Sequence, residues 1–207
     1  MKRGLQKNGL KDNTMPIQLN SNNLGDIIDI QNLKIQLPKK PPKKKILYFE
    51  KKKKEQKWIR QELPKALTRE NASDYYEYIE EEFRRRREGL WFMNNGEPTY
   101  ITGSHYMFLQ WSHIDIGYPD YREANRKLFI FWQACKLDSN CMGICFLKNR
   151  RSGFSYMASS EMVNLATQTY ESNCGLLSKT GSDAKSMFTD KIVRIYRRYP
   201  FFFQPIQ

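Results

Sequence analysis

The 207 residues are 40% hydrophobic and 14% aromatic, enough to build a core, and this excludes wholesale disorder. The net charge of +13 is concentrated at one end: residues 1–60 hold sixteen Lys/Arg against five Asp/Glu, while the remainder is nearly neutral. A basic tail on a near-neutral domain points to a polyanionic partner, with nucleic acid foremost.

Other classes drop out on simple grounds. No apolar run approaches the roughly 18 residues of a membrane span, and the N-terminus lacks the apolar stretch of a signal peptide. Cys135, Cys141, Cys145 and Cys174 form no CxxC pair and only two histidines exist, a poor set for zinc. Apolar neighbours at Cys145 and Cys174 predict buried free thiols, and the whole reads as a cytosolic protein with no membrane partner.

In chain order, residues 1–38 are polar and Asn-rich, with one weak apolar stretch around Ile27–Leu37. Residues 39–57 hold ten lysines, with Pro38, Pro41 and Pro42 opposing helix entry. That tract reads as a flexible linker, as an arm for phosphate backbones, or as both. Residues 1–60 are therefore expected to be a basic, largely disordered tail. A lead-in of helix and hairpin follows over 61–118, then the first half of a nucleotide-binding domain over 119–207.

A helix is predicted over 72–87, capped by Asn71 or Ser73. Tyr75, Tyr78, Ile79 and Phe83 form its apolar stripe, Arg84–Arg87 lie at its C-terminal end, and Gly89 stops it. Leu90–Met93, the turn Asn94-Asn95-Gly96 and Thr99–Ile101 spell a hairpin. A short aromatic helix spans His105–Trp111, and another helix spans Tyr121–Lys136 with Leu128, Phe129, Phe131 and Trp132 apolar.

Met142-Gly143-Ile144-Cys145-Phe146-Leu147 is almost purely apolar, as a buried parallel strand would be. It leads into Lys148-Asn149-Arg150-Arg151-Ser152-Gly153-Phe154-Ser155, then a helical stretch from Tyr156 to Gln168. A second short apolar strand, Cys174-Gly175-Leu176-Leu177-Ser178, and a helix over 183–198 complete the pattern. Strand, loop, helix, strand, helix predicts an α/β fold, an incomplete P-loop NTPase parallel sheet behind the helix and hairpin.

A conventional phosphate loop reads GxxxxGK[ST]. Gly153 and Ser155 hold the second glycine and hydroxyl positions, Phe154 stands where the lysine is usual, and Lys148 replaces the first glycine. Gly153 permits close backbone approach to phosphate, and the following helix N-terminus supplies amides and dipole. Lys148, Arg150 and Arg151 concentrate cations around the same loop, enough to replace one displaced lysine.

Lys148, Gly153, Phe154 and Ser155 resemble the displaced-lysine loop of the ATPase domain of tailed-bacteriophage large terminase subunits, the DNA-packaging motors. Gly103–Leu109 and the Tyr121-Arg122 helix resemble the lead-in those proteins place before the loop. The resemblance implies ATP and Mg²⁺ as cofactors, with Lys148, Asn149, Ser152, Gly153, Phe154 and Ser155 around the phosphates and Ser155 on Mg²⁺. It implies Arg150 or Arg151, with Arg151 preferred, as an arginine finger. Tyr121, Arg122 and Gln133 would recognise adenine. It also implies double-stranded DNA, a portal protein and a small terminase subunit as partners, a homo-oligomeric ring, and work in the host cytoplasm and at the procapsid portal. The second Asp-Glu strand and the nuclease of that family find no counterpart here, so a truncated chain with negligible hydrolysis is expected. The competing readings are a non-enzymatic basic nucleic-acid-binding protein, and another P-loop motor such as a helicase.

Overall fold

A computed structural model describes residues 24–49, 58–169 and 171–205. It is a mixed α/β structure, with two small antiparallel hairpins and a set of helices packed around one of them.

The first hairpin, β1 (Leu24–Ile30) and β2 (Leu33–Pro38), falls within the expected disordered tail. Gln31 and Asn32 both take positive φ, 51° and 65°, the conformation of a tight two-residue turn. The sequence reading missed it because Gln-Asn lacks the glycine that marks such turns. Residues 1–23 and much of the lysine tract, 50–57, lie outside the described residues.

Tyr76–Glu88 forms α1 after a 3-10 turn over Ala72–Tyr75. Asn71 does not cap it; its side chain accepts from the Thr68 amide at 2.7 Å and donates to the Ala66 carbonyl, organising the turn before. The most buried side chains of α1 are charged, Glu82 and Arg86, each 2% exposed. Glu82 accepts from the Tyr106 hydroxyl, from Trp111 Nε1 at 3.0 Å and from Arg85 at 3.1 Å. Burial raises the Glu82 carboxyl above its usual range, against the pull of those three partners.

Strands β3 (Leu90–Asn94) and β4 (Glu97–Ile101) pair antiparallel, with Asn95 and Gly96 at φ 50° and 85° in the turn. Leu47 bridges the other edge of β3, its amide donating to the Trp91 carbonyl at 3.0 Å. The second helix, α2 (Gly103–Trp111), is buried along its whole length, as an all-round apolar helix must be. Thr102 caps it by accepting from the His105 amide. A Cβ on Gly103 would stand 1.9 Å from the Arg86 carbonyl oxygen, so glycine is required for α2 to approach α1 this closely.

Helices α3 (Glu123–Leu137) and α4 (Phe154–Ala166) pack on α2. Three further helical pieces follow without interruption: α5 (Gly181–Met187), a π turn over Phe188–Val193, and α6 (Arg194–Arg197). No described helix is long and apolar enough to cross a membrane.

The expected parallel strands differ. Residues 142–147 and 174–178 are irregular and pair with no described strand, so among the described residues all pairing between named strands is antiparallel. Met142, Leu147 and Leu177 are 97%, 94% and 99% exposed. For the same reason Cys145 and Cys174 are exposed rather than buried, since no sheet covers them.

His105 supplies a test of the core. It is fully buried, neither ring nitrogen has a partner among the described residues, and burial together with the Arg126 charge lowers its pKa to about 3 from 6.5. A base whose folded pKa is depressed stabilises the fold fully above 6.5 and loses that contribution as pH falls towards 3. The slope is about 1.4 kcal/mol per pH unit. Chemical denaturation between pH 7 and 4 is expected to show this fall, and His105→Phe to flatten it. An unchanged slope in the variant would remove His105 as its source.

Candidate nucleotide-binding loop

The chain turns into α4 at Gly153, whose φ of 80° and ψ of 0° lie in the left-handed region. Arg151 also takes positive φ, 67°. The Gly153 carbonyl accepts from the Tyr156 and Met157 amides at 3.0 and 3.3 Å, so the first turn of α4 closes beyond the glycine. No side chain caps this end. The Phe154 and Ser155 amides have no hydrogen-bond partner among the described residues, leaving them and the helix dipole to face an anion.

Lys148, Asn149, Arg150 and Arg151 are all exposed, and none of the three cations forms an ion pair among the described residues. The Ser152 hydroxyl is buried without a partner among the described residues. Ser155 lies half-buried in the first turn of α4, its carbonyl accepting from the Ser159 hydroxyl at 2.8 Å. Residues 148–155 thus form one contiguous electropositive turn. Charge-assisted hydrogen bonds in such a setting contribute about 1.5–3 kcal/mol each.

Phe154 is anchored in a way that its sequence position did not suggest. Its ring stacks on Phe146 at 4.7 Å and on Trp132 at 6.1 Å, with interplanar angles of 16° and 12°. Trp132 stacks on Phe129 at 6.2 Å, Phe129 on His105 at 4.8 Å, and His105 on Tyr121 at 5.8 Å. Six nearly parallel rings therefore run from Tyr121, just before α3, to Phe154 in the loop and Phe146 ahead of it.

The adenine candidates separate. Tyr121 forms the far end of this column, and its hydroxyl donates to Glu123 at 2.6 Å. Arg122 is exposed at the N-cap of α3. At about 1.5 Å rise per residue it stands roughly 15 Å along the helix from Trp132, the residue that meets Phe154. Gln133 is half-buried and lines a cleft on another side of α3, which residues 148–155 do not border. Loop and adenine candidates are therefore not gathered into one site.

The residues that place α4 were missed. Arg86 Nε donates to Asn164 Oδ1 at 2.9 Å, and Nη2 donates to the Asn164 carbonyl at 2.7 Å and to Thr167 Oγ1 at 2.6 Å. Lys136 pairs with the buried Glu161, and Ser112 shares a hydrogen bond with Ser160 at 2.6 Å. The available signal was spacing: Glu82 and Arg86 repeat the positions of Tyr75 and Ile79 seven residues on, so they fall on the buried stripe.

Two substitutions separate backbone from packing. Nothing lies within 4 Å of a Cβ built on Gly153, so Gly153→Ala is expected to cost about 1 kcal/mol through its φ alone. Phe154→Ala, at a half-buried ring, is expected to cost about 2 kcal/mol and to lower Tm. Equal and negligible shifts in thermal melts would show that neither the turn nor the column holds the loop.

Comparison with known protein families, with curated proteins and with solved structures finds no match to this chain.

Proposed function

We propose that residues 148–155 bind the phosphates of a nucleoside triphosphate with Mg²⁺, and that the chain is the ATP-binding part of a viral DNA-packaging motor of the large-terminase kind. The observation that carries the reading is the left-handed Gly153 at the open end of α4, with Lys148, Arg150 and Arg151 exposed beside it. In this reading Lys148 contacts the terminal phosphates, the Phe154 and Ser155 amides donate to phosphate oxygens, and Arg150 or Arg151 neutralises charge on the γ-phosphoryl group. The exposed apolar segments 142–147 and 174–178 would gain strand partners in the assembled motor, at work in the host cytoplasm and at the portal on double-stranded DNA.

The fit to Mg²⁺ is limited to one hydroxyl. Ser155 offers an oxygen beside the phosphates, whereas among the described residues no group of three or more His, Cys, Asp or Glu is placed to hold a metal. When bound, the ion would screen the phosphate charge; the chain's own part is to position and neutralise.

Calorimetry with a non-hydrolysable ATP analogue tests the loop. Lys148→Ala is expected to weaken binding at least about tenfold, or ~1.4 kcal/mol. Ser155→Ala is expected to remove the additional affinity conferred by Mg²⁺. No binding, or binding indifferent to both variants, sinks the assignment. Rapid hydrolysis abolished by Ser155→Ala would keep the binding site and overturn the expected inactivity.

One observation favours a second reading, a basic nucleic-acid-binding protein without nucleotide dependence. Lys43–Lys45 form an exposed 3-10 turn with no acidic residue in it. Replacing all three by Gln is expected to reduce the slope of log affinity against log salt by roughly 2–3 on duplex DNA. A slope that does not move would exclude the turn from contact with phosphates.

A further inference from the structure

Strand β2, the end of α1 and one side of α3 line a cleft of about 1060 Å³ that residues 148–155 do not border. Every residue from Lys34 to Lys39 lines it, so both faces of β2 contribute. Side chains of a strand alternate between its faces, so a cleft that meets every residue runs along the strand's edge rather than over one face. β2 pairs only with β1 among the described residues, leaving its other edge with unpaired backbone donors and acceptors. Leu137, 44% exposed, supplies apolar surface in the cleft, while Trp91 and Ile130 are buried in a cluster with Leu37 and Ile30.

Five cations, Lys34, Lys39, Lys45, Arg84 and Arg87, line the cleft against the three carboxylates of Glu81, Glu88 and Asp138. Arg84 is already committed to Glu81 and Glu88, at 2.7 and 3.1 Å. The Asp138 carboxylate accepts from the Asn140 amide at 2.9 Å. Lys34, Lys39, Lys45 and Arg87 line the cleft, are exposed, and form no ion pair among the described residues.

We infer that this cleft is a docking site for an extended peptide of a partner protein, one alternating apolar with acidic residues and adding a strand to β2. Strand addition takes affinity from main-chain hydrogen bonds and specificity from the alternate side chains. Here one set of side chains would meet Leu137 and the half-buried Ile35, and the other would meet the four free cations. β2, with six residues at about 3.3 Å each, offers an edge of roughly 20 Å. A nucleic-acid strand would use the cations but would find no use for an open backbone edge.

The test uses the full chain and a fluorescent peptide of about seven residues alternating valine with aspartate or glutamate. Anisotropy is expected to saturate below about 1 mM, and β2 amides to exchange more slowly with the peptide bound. The same peptide N-methylated at alternate residues, which cannot complete a ladder, is expected to bind at least about tenfold more weakly. The double variant Lys34→Glu, Lys39→Glu changes two exposed residues, so folding should survive; it is expected to weaken binding at least about tenfold. Failure of the alternating peptide to bind would overturn the inference. So would equal binding of the N-methylated peptide, or tighter binding of oligothymidylate with β2 amides unprotected.

Discussion

Arg86 is 2% exposed, yet among the described residues its guanidinium meets no carboxylate within ion-pairing distance. Its hydrogen bonds go to Asn164 and Thr167 at the last turn of α4, and the Phe203 ring lies 5.0 Å from its carbon centre. Burial lowers its pKa to about 10, which still leaves it charged at neutral pH. A cation at a helix C-terminus opposes the partial negative charge of unpaired carbonyls, by up to about 2 kcal/mol where partly buried. α4 thereby has its negative end neutralised inside the protein and its positive end open at Gly153. Removing the guanidinium would leave buried acceptors unpaired on the helix that presents the loop.

The remaining polar contacts fix rotation rather than depth. Glu161 meets Lys136 of α3, and Ser160 meets Ser112 just past α2, so α4 is keyed to the three helices that precede it. Buried pairs of this kind contribute little net free energy against apolar replacements, but each rejects a helix turned by one residue. The fully buried α2 gives them a rigid surface to register against.

Local patterns were well legible. Asn95-Gly96 announced its hairpin, the apolar spacing in α1 and α3 announced helices, and Gly153 marked the start of α4. Three kinds of information were not. The Gln31-Asn32 turn adopts positive φ without glycine, so its hairpin read as weakly apolar tail. Arg86 looked like a surface cation at a helix end because residue type outweighed its place on the buried stripe. The apolar runs 142–147 and 174–178 have the composition of buried parallel strands, but a strand needs a partner on its edge, and none of the described segments supplies one. Composition reports what a segment tends to do once paired, and it is silent on where the pair comes from.

The same distinction explains the phenylalanine at the loop. In a conventional phosphate loop the residue after the second glycine sends a charge back over the phosphates. Phe154 faces the opposite demand, since Trp132 and Phe146 sandwich its ring and carry it into a column that ends at Tyr121. A lysine there would give up the ring-on-ring contacts that Phe154 makes with Trp132 and Phe146, and with them part of what holds the first turn of α4. In the proposed reading, a cation at Lys148, on the exposed stretch before the turn, separates the two tasks: an apolar ring fixes the helix start, and a free side chain would reach the anion. On that reading, the position of the cation would follow from how α4 is held. A loop anchored by stacking can present its charges only from the side that does not stack.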